Sequence, residues 1–104
     1  MAQATVSWDS TGNRPRVNPD NIDVSVGNGA QVIRWDADSS IASFNILGLD
    51  GNGEFINQIQ GPGGKWVTIV DKADRNGTWN YTVSAQPVAG GSVSIDPKIT
   101  NGSA

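Results

Sequence analysis

Asp36 and Asp38 stand two apart in Trp35-Asp36-Ala37-Asp38-Ser39-Ser40. Paired carboxylates bind a cation or share a proton when other groups converge on them. A second oxygen-rich stretch, Leu49-Asp50-Gly51-Asn52-Gly53-Glu54, offers Asp50, Asn52 and Glu54 at alternate positions. A calcium loop of the helix–loop–helix kind needs Gly at position six and Glu at twelve. Counted from Asp50, those places hold Phe55 and Gly61. The spacing fails, and a glycine-rich turn between strands accounts for the residues. Arg14 and Arg16, within Asn13-Arg14-Pro15-Arg16-Val17, have the donors to grip a carboxylate or phosphate. A solvated loop is the better explanation of them.

Acid–base and nucleophilic catalysis find few players. The chain has no His and no Cys, and none of its Ser or Thr residues has an identifiable base. A hydrolase built on Ser or on the Asp pair is the weakest reading, and the expectation is a protein that is not an enzyme. Trp66 suits binding instead. It follows Gly61-Pro62-Gly63-Gly64-Lys65 and is opposite in parity to Val67 and Ile69, the expected core pair. An outward Trp beside a glycine loop stacks on a sugar or fills a partner's pocket; folded over a sheet edge, it shields backbone from water. Trp66, Lys65, Asp36 and Asp38 are the candidate ligand or partner contacts.

These residues need strands to hold them. Apolar residues recur at period two: Ala4/Val6/Trp8, Ile22/Val24/Val26, Ile33/Trp35, Phe44/Ile46, Val67/Ile69, Trp79/Tyr81/Val83 and Val93/Ile95. Phe55 to Ile59 is weaker. Between them fall Gly, Asn, Asp and Pro clusters, including Asn18-Pro19-Asp20, Gly27-Asn28-Gly29, Asp50-Gly51-Asn52-Gly53, Asn76-Gly77 and Gly90-Gly91. Such spacing predicts an all-β antiparallel Greek-key sandwich of about seven strands, in one domain over 1–104 with a frayed tail over 101–104. The inner faces are expected to include Val24, Ile33, Trp35, Phe44, Ile46, Val67, Ile69, Trp79, Tyr81 and Val83.

Three stretches resemble the cupredoxins, the blue-copper sandwiches: "VSVGNGAQVIRWDADSS", "ASFNI" and "GTWNYTVSAQPVAGGSVSI". The likeness runs over roughly residues 20–96 and implies a cupredoxin-like fold; an immunoglobulin-like topology is the other sandwich considered. The resemblance places Ser43 where the first copper His is expected, Val83 at the Cys and Gln86 at the second His, with no Met following. Blue copper needs two imidazoles and a thiolate. Valine cannot ligate, so the donor set excludes copper electron transfer, and no metal or other cofactor is expected.

Composition bounds the partners. The net charge is −3 with seven scattered basic residues, which leaves no basic stripe for nucleic acid. No apolar run reaches spanning length. Met1–Ala4 lacks the pattern of a secretory signal, and absence of Cys fits more than one compartment, so localisation stays open. Asn-x-Ser/Thr triplets at Asn76, Asn80 and Asn101 are glycan acceptors only in a secretory pathway. The expectation is a non-catalytic binding or structural module. It self-associates, with a homodimer possible by strand addition, or engages another macromolecule. Carbohydrate binding of the lectin kind is the alternative, since an Asn-, Gly- and Ser-rich surface suits sugars.

Overall fold

The computed structural model describes residues 2–49, 53–89 and 93–103. Asp50 and Asn52 of the calcium-loop reading, the Gly90-Gly91 turn and Ala104 lie outside them. The architecture is all-β and sandwich-like. Among the described residues the strands are β1 (Ala2–Asp9), β2 (Arg14–Asn18), β3 (Asn21–Val26), β4 (Gln31–Ala37), β5 (Ile41–Leu47), β6 (Phe55–Gln60), β7 (Trp66–Asp71), β8 (Gly77–Asn80), β9 (Thr82–Pro87), β10 (Val93–Ile95) and β11 (Lys98–Ser103). A single 3-10 turn, Pro62–Gly64, joins β6 to β7.

Three sheets result, in the orders β2-β1-β4-β7-β6, β10-β9-β5 and β3-β11-β8. The sheets are mixed rather than purely antiparallel as expected. β1 runs parallel to β4, with Ala4 beside Trp35, and β3 runs parallel to β11, with Ile22 beside Ile99. The strands also exceed the expected seven, and two of the additions fall where no strand was expected. The arginine pair expected in a loop is in β2, where Pro15 and Val17 turn inward and Arg14 and Arg16 outward. The tail expected to fray is β11 through Ser103, held between β3 and β8 with Asn101 fully buried.

The alternating residues meet in one core. Ala4, Val6, Ile33, Trp35, Val67 and Ile69 face it from the five-stranded sheet; Ile22, Val24 and Ile99 from the β3 sheet; Phe44, Ile46, Val83 and Ala85 from the β9 sheet. Tyr81 is the hinge between the latter two. The run from Trp79 to Val83, expected as one strand, breaks there: β8 ends at Asn80, the Tyr81 N–H donates to Pro97 O at 3.1 Å, and β9 starts at Thr82 in another sheet. The change of sheet carries Trp79 to the margin. It faces the core as its parity predicts, beside Ile99, but is only half-buried, edge to face with Phe55 at 5.4 Å.

Candidate functional site

The strand pair β4–β7 brings three of the four expected contact residues together. Asp36 and Trp66 are direct cross-strand partners, and Lys65 is bonded to the next residue of β4: the Ala37 N–H donates to Lys65 O at 2.9 Å. Arg34, which sequence reasoning did not single out, completes the group. Its guanidinium lies over the Trp66 ring, 4.8 Å from the centroid. Its Nε donates to both Asp36 oxygens at 3.0 and 3.1 Å, and Nη2 reaches Oδ1 at 3.0 Å. The pair is surface-exposed, so it contributes at most about 1 kcal/mol. Its effect is to orient the Arg plane on the indole.

Trp66 takes the outward position that parity predicts, with Val67 and Ile69 buried behind it. The glycine loop beside it is packed, however, rather than loose. A Cβ at Gly61 would collide with the indole, so only Gly lets the ring lie there. Gly64 adopts φ +67° and approaches Ser43, and Lys65 Nζ donates to Ile41 O at 2.8 Å. With Gly61 and Arg34 both against it, the indole is a half-buried cover at the sheet margin.

Asp38 separates from the group. Its Oδ1 accepts from the Ser40 N–H at 2.9 Å and from the Ser40 hydroxyl, which in turn accepts from the Trp8 N–H at 2.9 Å. Asp38 therefore shapes the β4–β5 turn by bonding its own backbone. Asp36 is committed to Arg34, so the two carboxylates do not converge.

Ser43 and Gln86 are brought side by side as cross-strand partners in β5 and β9. Val83 lies further along β9 opposite Ile46 and is fully buried. A hydroxyl, a carboxamide and an isopropyl group do not fit copper, and no step through a metal follows from them.

The larger feature is the outer face of β4, β7 and β6. Val32, Val70 and Ile56 align across it, as do Arg34, Thr68 and Ile59. Val32 is 40 % exposed, Ile56 37 % and Ile59 55 %. A bulge puts both isoleucines there. Asn57 at φ +58° interrupts the register between Ile56 and Ile59, so residues three apart share a side. The same bulge turns Gln58 and Gln60 the other way, where their amides donate to Ile46 O at 2.7 Å and Phe44 O at 2.9 Å. The expectation of a weak, plain strand over Phe55–Ile59 missed this, because an inserted residue leaves no period-two trace. Gln58 and Gln60 also wall a cleft of about 360 Å³ with Asn45 and Leu47.

Among the described residues, no cluster of three or more His, Cys, Asp or Glu stands ready to hold a metal, and no helix is long and apolar enough to cross a membrane. No protein-family model matches the chain, and no curated protein matches it.

Proposed function

We propose that the chain is a non-catalytic binding module that pairs with a second copy of itself through the outer face of β4, β7 and β6. One observation carries this reading: Val32, Ile56 and Ile59 are exposed together on that face, beside Val70 and Trp66. An apolar patch rimmed by polar groups marks an interaction surface. Arg34 and Asp36 at its border supply both signs of charge, which suits a two-fold contact in which each Arg meets the other copy's Asp. The patch is small, so the dimer is weak and concentration-dependent. Edge-to-edge strand addition is the less suited route, because the Asn57 bulge breaks the regular ladder of β6.

The fold is, in our reading, a cupredoxin-like Greek-key sandwich whose metal positions are refilled. What supports it is the pairing of Ser43 with Gln86 and the burial of Val83. The carbohydrate alternative draws less support, since Trp66 is already engaged by Gly61 and Arg34.

Sedimentation equilibrium from low micromolar to millimolar protein tests the pairing. The wild-type mass should climb toward that of a dimer, and Ile59→Asp should stay monomeric with an unchanged melting point. A wild-type monomer throughout the range contradicts the proposal.

A further inference from the structure

β5 is an edge strand. β9 lies on one side of it, and among the described residues no strand of its sheet lies on the other. Its sequence, Ile41-Ala42-Ser43-Phe44-Asn45-Ile46-Leu47, has no charge and no proline. An uncharged edge of this kind invites another chain to pair with it, and a lysine, a proline or a bulge is the usual defence. β5 has one register shift near its start, between Ile41 and Ser43; from Ser43 to Leu47 its pairing is regular. That stretch carries no defence of its own.

Side chains supply it. Three carbonyls of β5 accept from them: Ile41 O from Lys65 Nζ at 2.8 Å, Phe44 O from Gln60 Nε2 at 2.9 Å, and Ile46 O from Gln58 Nε2 at 2.7 Å. The Ile46 N–H donates to Asn45 Oδ1 at 2.9 Å. Gly64 covers the stretch between them, where a Cβ would stand 3.0 Å from Ser43 Cβ and 3.4 Å from Phe44 N. Gln58 and Gln60 are two apart on β6, and the carbonyls they hold are two apart on β5. At strand period, the two amides take the places of the N–H groups that a neighbouring strand would bring. Yet β6 belongs to a different sheet, so the seam is closed by side chains and not by a backbone ladder.

We propose that Gln58, Gln60, Asn45 and Lys65 form a guard that keeps β5 from pairing with the β5 edge of a second copy. Two uncharged edges of one sequence meet antiparallel about a two-fold axis with no like charges opposed, so a second copy is the partner an open β5 fits. An incoming strand would need the carbonyls of Phe44 and Ile46, and it must first displace the amides bound to them. The cover is thinnest at the end of β5, where Leu47 is 47 % exposed beside the cleft walled by Asn45, Gln58 and Gln60. The guard is independent of the pairing at the outer face of β4, β7 and β6, and it complements that pairing. With both surfaces open, each copy would join two others, and the assembly would grow without closing.

The test is made in the Ile59→Asp background, so that pairing at the outer face does not enter and each variant is compared with that parent. Gln58→Ala/Gln60→Ala should self-associate more strongly than the parent in sedimentation runs. It should also bind a fluorescent, lysine-flanked peptide of residues 41–47 about tenfold more tightly than the parent does, or better. Gln58→Lys/Gln60→Lys returns a donor to each carbonyl and should restore the parent's behaviour. An alanine pair that folds, associates no more than the parent and binds the peptide no better overturns the guard. Equal association of the alanine and lysine pairs also overturns it, because lost stability is then the cause. Where the alanine pair does not fold, Gln58→Ala alone, which frees only Ile46 O, carries the same comparison.

Discussion

Trp35 and Tyr81 are locked to each other across the sandwich. The indole N–H donates to the phenol oxygen at 3.0 Å, and the rings meet edge to face at 5.4 Å. Both side chains are buried. Burial raises the Tyr81 pKa beyond the ordinary phenol range, although the Trp35 bond works against that rise. Since Tyr81 is also where the chain changes sheet, this contact ties that turning point to β4 of the five-stranded sheet.

Tyr81→Phe keeps the ring and leaves the Trp35 N–H buried without an acceptor. The expected loss is about 1–3 kcal/mol, read by urea unfolding. A change below about 0.5 kcal/mol would mean another acceptor takes the indole proton.

Gly61→Ala isolates the packing of Trp66. Gly61 has φ −76°, which Ala adopts freely, so any effect comes from the methyl group striking the indole. Displacing the ring should cost about 1–3 kcal/mol and shift Trp emission to the red. Emission and stability both at wild-type values would contradict the contact.

Trp79→Ala gauges how much a half-buried aromatic contributes. Full burial would make the cost about 3–5 kcal/mol; at the margin, against Phe55 alone among the aromatic rings it stacks on, about 2 kcal/mol is expected. Denaturant midpoints for Trp79→Ala and Trp35→Ala should differ clearly, with Trp35→Ala much the more damaging.

The pH dependence follows from Glu54. Burial, and then the neighbouring Asp74 and Asp71 carboxylates, raise its carboxyl from 4.5 on folding, so the folded chain holds the proton longer than the unfolded one. The stability this adds is complete below pH about 4.5 and is lost as the pH rises through the elevated value. Glu54→Gln should therefore gain on the wild type as the pH climbs toward 7. Parallel pH profiles for the two proteins would remove Glu54 as the cause.

Much of the core was legible because burial imposes a period. Ile33 with Trp35, Val67 with Ile69, and Trp66 opposite to them follow from alternation alone. Alternation carries no information on which strands become neighbours, so the parallel pairs β1–β4 and β3–β11 were hidden. It placed Trp79 on the core side correctly but did not show that the strand breaks at Tyr81, which leaves Trp79 only half-buried. Asp36 and Trp66 were found as separate candidates, and only the register shows them paired, with Arg34 between their chemistries. The buried Asn101 amide donates to Glu54 Oε2 and Asp71 Oδ1, residues 47 and 30 positions away, and each of the three reads locally as a turn or surface residue.

Asn57 sets the character of a whole strand. Flatten the bulge with that residue kept in the ladder, and alternation would turn Gln58 outward while Ile59 swung under the sheet. The greasy exterior and the amide stitches to β5 would vanish in the same event. Stickiness and closure of the seam are thus inherited together, through a single inserted position.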